Sequence, residues 1–340
     1  MTRFEQLTVR APGKLMIAGE YAVLLGAPAV LTCVDRFAVA EILASDNAES
    51  RLVLRGGTAL DTRFSMNGTV PAFAAGTDPQ AISLVSALLG EFPPAAVLEL
   101  HIDSRELYAG ERKLGLGSSA AVTVAAGRAL SLFSGNEPTL AALDAAHRRF
   151  QGGQGSGADV AAIAHGGTLV FEPATQCVRA LSWPKGLQMQ AVACSHAAAT
   201  VARVLKFQQW QQSARQHLAL AHKLVEAAQH LADAWQQGDG AAIIDEVRRF
   251  IVHMLAVDEA AALGYLAGEH RELLRLASDV GVVYKPCGAG GGDFGIALSM
   301  DDDAMRAFVS LARDNGFSLP ELGMTDITPT VSRSARQVTR

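Results

Sequence analysis

A chain of 340 residues, 49% hydrophobic and 19% charged, is long enough for two domains and apolar enough to fill their cores. Its net charge of −5, without a basic run, argues against nucleic acid as the main partner, so any anion must be held by local groups. The N-terminal stretch has no apolar signal core, no apolar run reaches the ~18 residues of a membrane span, and Cys33, Cys177, Cys194 and Cys287 form no CxxC pair; a cytoplasmic protein with buried free thiols is expected, with no membrane partner.

Residues 6–21, QLTVRAPGKLMIAGEY, read as a strand, a break at Pro12-Gly13 and a second strand. Residues 28–44 are strand-like around a charged pair, and RLVLRG with RFSMNG suggests a hairpin. AISLVSALLGEF has a helical period, and AAVLELHIDS alternates like a strand. A helix follows Gly115-Leu116-Gly117-Ser118-Ser119 and ends near Ser134-Gly135. PTLAALDAAHRRF is a helix opened by Pro138 or Thr139, and SGADVAAIAHGG is a short helix capped by Ser156 or by glycine. GTLVFEP is a strand, residues 199–281 are helical throughout, and VVYKPC and FGIALS are strands around a glycine loop. DDDAMRAFVSLARDNG is a capped helix, and the polar end SRSARQVTR is expected to fray. The fold class is α+β, with domains at 1–180 and 181–340.

Glycine-rich islands punctuate this pattern at 11–30, 113–125, 151–162 and 284–298, each with an ionisable or hydroxyl residue. The second, KLGLGSSAAVTVA, opens a buried helix with glycines and serines. A helix N-terminus offers unpaired N–H groups and partial positive charge, which suit a phosphate, although the same residues also make an ordinary turn and N-cap. The loop is neither a Walker A sequence nor a dinucleotide fingerprint, because the Lys-Ser/Thr of the first and the third glycine of the second are missing.

In order and content, PGKLMIAGEY, GLGSSAA and CGAGGGDFGIAL resemble the three motifs of the GHMP kinase superfamily. Tyr21 after Gly19-Glu20, Lys113 ahead of the loop, the Gly-Ser-Gly-x-Asp-Val run and Lys285-Pro286 resemble its phosphomevalonate kinase branch. Gly153 and Gln154 depart from it where a Lys is common, as does Cys287 where Ser is usual.

The resemblance implies a two-lobed fold. Its N-terminal lobe has a ribosomal-protein-S5-like mixed sheet, and its C-terminal lobe is helix-rich with an antiparallel sheet. It implies ATP and Mg2+ as cofactors and a phosphomevalonate-like acceptor, in a monomer or homodimer. Asp159 is then the base or orienting carboxylate and Lys14 the cation beside it. Lys113, Gly115, Leu116, Gly117, Ser118, Ser119 and Ala120 bind nucleotide, with Ser119 as the metal ligand. Glu20, Tyr21, Ser156, Gly157, Lys285, Gly288, Ala289, Gly290 and Gly291 bind substrate. Lys206 and one of Arg148 and Arg149 are further candidates for an acceptor phosphate, Asp293 is either a turn cap or functional, and His165 and His196 are ordinary polar residues. Alternatives are an alcohol kinase for mevalonate, homoserine or a sugar, a diphosphomevalonate decarboxylase-like enzyme, and a non-catalytic sensor.

Overall fold

A computed structural model of the chain describes residues 6–110, 112–196, 198, 200–213, 215–266, 268–324 and 327–334. In chain order its elements are β1 (Gln6–Ala18), β2 (Ala29–Ala44), β3 (Ser50–Arg55), β4 (Leu60–Asn67), β5 (Val70–Phe73), α1 (Pro79–Glu91), β6 (Leu98–Asp103), β7 (Tyr108–Ala109), β8 (Arg112–Lys113), α2 (Ser118–Phe133), α3 (Leu140–Phe150) and α4 (Ala158–His165). They continue as β9 (Thr168–Glu172), β10 (Cys177–Leu181), β11 (Gln188–Ala193), α5 (Thr200–Ser213), α6 (Arg215–Gln237), α7 (Gly240–Ala261), α8 (Glu269–Asp279), β12 (Val283–Pro286), β13 (Phe294–Ser299), α9 (Asp302–Asp314) and β14 (Thr330–Ser334).

These elements form two compact units made of interleaved segments. One comprises Met1–Lys14, Asp35–Gly166 and Asp326–Arg340, the other Leu15–Val34 and Gly167–Thr325. Unlike a single cut near residue 180, this division passes through β1 and β2. A long strand can pair with different neighbours along its length, and β2 does: Val39–Ala44 pair with β6, whereas Ala29–Thr32 pair with β9.

In the first unit, β6 lies antiparallel to β2 and parallel to β3, and β3, β4 and β5 continue antiparallel, so its pairing is mixed. The expected hairpin of residues 51–68 is β3–β4. Helix α2 is almost wholly buried; its small residues Ala120, Ala121, Ala125 and Ala129 allow α1, α3 and α4 to pack against it. Thr139 caps α3 by accepting from the Ala142 N–H.

In the second unit, β11, β13 and β12 form an antiparallel sheet. Its apolar face, with Val192, Tyr284 and Ala297, packs on Leu273, Leu276 and Ala277 of α8 and on Met305 and Phe308 of α9. Asp301 caps α9 through the Asp303 and Ala304 N–H groups. Helices α6 and α7 pack along one another.

Several sequence expectations change. No break occurs at Pro12-Gly13: β1 runs through it, pairing with β14 over Gln6–Arg10. The tail does not fray throughout, since Thr330–Ser334 form β14, while 335–340 lie outside the described residues. Strands β5, β10 and β11 were not anticipated; β10 is short and largely exposed and so has little apolar pattern. Cys177 is exposed, whereas Cys33, Cys194 and Cys287 are buried, and none of the four is in a disulfide. Among the described residues no helix is long and apolar enough to cross a membrane.

Candidate active site

The Gly-Leu-Gly-Ser-Ser turn lies in the first unit, between β8 and α2. Leu114 N–H donates to the Leu107 carbonyl at 3.0 Å, and Lys14 N–H donates to the Leu116 carbonyl at 2.9 Å. Leu116 is fully buried and anchors the turn, while Lys113 ahead of it is exposed. Gly115 and Gly117 both take positive φ, and Gly117 ends the turn as the residue before α2.

No side chain caps α2, and its first internal bond runs from the Ala121 N–H to the Gly117 carbonyl. The N–H groups of Ser118, Ser119 and Ala120 therefore precede the ladder, at the positive end of the helix. Neither Ser118 nor Ser119 supplies a side-chain cap; Gly117 is the residue in the N-cap position. Ser118 is buried and Ser119 half-buried.

Gly117 is glycine for two reasons. Its φ of 75° suits glycine, and a Cβ there would lie 3.0 Å from Lys14 Cε and 3.3 Å from Lys14 Cγ. The Lys14 stem thus passes directly over the loop. Its Nζ ends 3.0 Å from Asp159 Oδ1, with the lysine side chain 8% exposed and the aspartate 37%. Asp159 sits in the first turn of α4, which Gly157 opens at φ 84°. At the helix start Ser156 Oγ accepts from Ala158 N–H at 3.3 Å.

His147 was not singled out in the sequence. It is 4% exposed, and its Nε2 lies 3.1 Å from Ser119 Oγ. Burial lowers its pKa below the ordinary imidazole value, with Asp159 and Asp144 pulling the other way, so the neutral ring is favoured. The available signal was the stripe Leu143, Ala146, His147 at helical spacing, which turns the ring inward.

The candidates from the first and fourth islands lie in the second unit. Glu20 and Lys285 are both fully buried and form an ion pair. Lys285, expected on an acceptor phosphate, has Glu20 as its partner instead. Burial raises the Glu20 pKa against the opposing pull of Lys285. Tyr21 is 4% exposed and donates its hydroxyl to the Ala289 carbonyl at 2.8 Å.

The glycine loop is secured along its length. Tyr265 donates to the Pro286 carbonyl at 2.9 Å, Gly291 N–H donates to the Tyr265 carbonyl at 2.8 Å, and His270 Nε2 lies 3.0 Å from the Gly292 carbonyl oxygen. A Cβ at Gly290 would run into the Tyr265 ring. Gly288 and Ala289 are half-buried, as is Gly291. Asp293 Oδ1 accepts from Ala198 N–H at 3.1 Å, a bond to a distant segment of the chain.

The remaining basic candidates have local partners. Arg148 pairs with Asp144 at 2.6 Å, Arg149 with Glu91 at 3.1 Å, and Lys206 bonds the Ala262 carbonyl. His165 bonds the Gly166 carbonyl oxygen, and His196 lies 2.8 Å from Ser195 Oγ.

Residues 80–167, which contain the loop, His147 and Asp159, match the family of GHMP kinases N terminal domains. Over 354 residues the chain is 32% identical to the phosphomevalonate kinase of Streptomyces sp. (strain CL190), covering 90% of this chain and 93% of that one. The chain belongs to the GHMP kinase family. A GHMP kinase is a phosphotransferase, and this one is a homologue of phosphomevalonate kinase. Solved structures share the fold. The Lin0012 protein from Listeria innocua superimposes with a TM-score of 0.83 at 19% identity, covering 96% of this chain and 99% of that one. Streptococcus pneumoniae phosphomevalonate kinase, in complex with phosphomevalonate and AMPPNP, superimposes with a TM-score of 0.74 at 23% identity, covering 93% and 99%. The expected α+β fold of the GHMP kinases is therefore the fold of this chain.

Proposed function

We propose that this GHMP kinase transfers the terminal phosphoryl group of ATP to phosphomevalonate, giving diphosphomevalonate and ADP, in the cytoplasm. The observation that carries the reading is the Lys14 side chain crossing the Gly117 turn to meet Asp159 at 3.0 Å, beside the uncapped start of α2. That arrangement supports phosphoryl transfer, in which the protein supplies positioning and positive charge. The choice of acceptor rests on the relative from Streptomyces.

The nucleotide phosphates would lie against the N–H groups of Ser118, Ser119 and Ala120, with Gly115 and Gly117 allowing close approach and exposed Lys113 adding charge. Among the described residues no group of three or more His, Cys, Asp or Glu is placed to hold a metal. That sparse donor set fits magnesium, which keeps several waters and binds through substrate phosphates and one or two protein oxygens. Ser119 Oγ and the partly exposed Asp159 carboxylate would be the oxygens to hold it. When bound, the ion would neutralise phosphate charge.

A phosphorylated acceptor is largely dianionic near neutral pH, so no proton has to be removed from the attacking oxygen. Lys14 then offsets the charge that meets at the transferred group, and Asp159 fixes the lysine in place. Ser156 and Gly157 at the head of α4 are assigned to the acceptor side. An alcohol acceptor would instead need Asp159 as a base.

The test is a coupled ADP-release assay over mevalonate, phosphomevalonate, diphosphomevalonate, homoserine and galactose at two ionic strengths. Phosphomevalonate should exceed the others in kcat/KM by more than about tenfold, and its KM should rise with salt because exposed charge contacts are screened. Equal or better use of an unphosphorylated alcohol would assign the protein to the alcohol kinases.

A further inference from the structure

The first unit holds a buried imidazole that the reading above does not use. His147 lies on α3, and its Nε2 is 3.1 Å from Ser119 Oγ. Asp144 and Arg148 of its own helix pair with each other at 2.6 Å, while Asp159 of α4 is engaged by Lys14 of β1 at 3.0 Å. The charged groups around the ring thus have partners of their own. The Ser119 backbone is held independently, since Thr123 Oγ1 donates to the Ser119 carbonyl at 2.8 Å.

A serine in the first turn of a helix has several hydroxyl orientations open to it, including bonds back to nearby backbone groups. A ring fixed in the interior removes that freedom. A hydroxyl that gives its proton to a buried nitrogen also turns its oxygen lone pairs elsewhere.

We propose that His147 is a positioning residue for the nucleotide site: its Nε2 accepts the Ser119 hydroxyl proton and fixes the Ser119 oxygen at the start of α2 with its lone pairs free for the bound nucleotide complex. The inference rests on the assignment of that helix start to nucleotide phosphates. His147 acts through Ser119 and touches no reacting atom. A ring that merely fills space would act on stability and be indifferent to what stands at 119.

The test is a double-mutant cycle read by binding as well as turnover. His147→Phe and His147→Asn each remove the bond to Ser119, and His147→Gln offers an amide near the position of Nε2. Each is made in wild type and in Ser119→Ala, with the Kd for AMPPNP measured by calorimetry in the presence of magnesium, kcat with ATP, and the melting temperature. In wild type, His147→Phe or His147→Asn should weaken AMPPNP binding and lower kcat by about tenfold, the scale of one buried hydrogen bond. In Ser119→Ala the same changes should cost less than about twofold, because coupled residues are not additive. His147→Gln should keep at least half of the affinity.

The same fold-loss in both backgrounds, or no loss in wild type, overturns the proposal. So does His147→Gln failing as badly as His147→Phe at an unchanged melting temperature. If His147→Phe does not fold, the smaller and polar His147→Asn supplies the cycle. A wild-type chain that binds no AMPPNP overturns the functional reading itself, an outcome distinct from additive losses in a chain that binds it.

Discussion

Lys14 and Asp159 are 145 positions apart in the chain and 3.0 Å apart in space, with the lysine nearly buried and the aspartate open to solvent. The ammonium is held beside the start of α2 by a partner that is itself reachable. Asp159→Asn keeps the shape and removes the charge that holds Lys14. Turnover should fall by at least about 10² while acceptor affinity changes little. Steady-state kinetics decide it; a kcat within about threefold of wild type removes Asp159 from the machinery.

Ser119→Ala should raise the Mg·ATP requirement and lower turnover by roughly ten- to a thousandfold, the usual range for one electrostatic contact in the transition state. Initial rates over a grid of Mg2+ and ATP concentrations check this. Normal Mg·ATP kinetics would exclude Ser119 from the site.

Gly117→Ala would force a Cβ against the Lys14 stem at a left-handed backbone position. The local cost is about 1–2 kcal/mol, and Lys14 must move away from Asp159. Turnover should drop more than stability, as measured by kcat alongside a chemical melt. An alanine variant with wild-type kcat would mean that the passage of Lys14 over this turn has no part in catalysis.

In the second unit, Lys285→Met strands a fully buried carboxylate. Removing one partner of such a pair costs about 3–5 kcal/mol, whereas replacing both often costs little. Adding Glu20→Gln to Lys285→Met should therefore recover part of the loss in urea unfolding. A single variant as stable as wild type would show that the pair does not support the loop.

His270 is buried against the glycine loop, and burial lowers its pKa below the ordinary value of about 6.5. The unfolded chain then takes up the proton more readily than the folded one. The stability associated with the neutral ring is complete above about pH 6.5. It declines as pH falls from there through the lower folded-state pKa, by at most about 1.4 kcal/mol per pH unit. Melts between pH 8 and 5 should show a shallower decline for His270→Gln than for wild type; identical slopes would contradict this account.

The sequence made some of these features readable and hid others for physical reasons. The Gly115–Ser119 loop and the start of α4 were legible because glycines before a helix are a local signal. So were the strands around the fourth island, whose β-branched and aromatic residues alternate with turn glycines. The union of Lys14 with Asp159 came from resemblance alone, since nothing local joins the two segments. Glu20 and Lys285, 265 positions apart, read as two separate substrate-binding charges, and only the fold buries them together as a pair. The stripe on α3 pointed His147 inward, but its meeting with Ser119 28 positions earlier depends on how α3 packs on α2. The interleaving of the units was hidden because β1 and β2 carry one continuous pattern through both.

The proposed acceptor of the phosphoryl group is a phosphate rather than an alcohol. Phosphorus NMR of the chain with ATP, magnesium and phosphomevalonate reads this directly. The account predicts that the acceptor's monoester resonance is replaced by a coupled pair of diphosphate resonances, in step with ADP formation. ADP formation with the monoester resonance unchanged, or a new monoester resonance appearing when mevalonate is supplied instead, would contradict it.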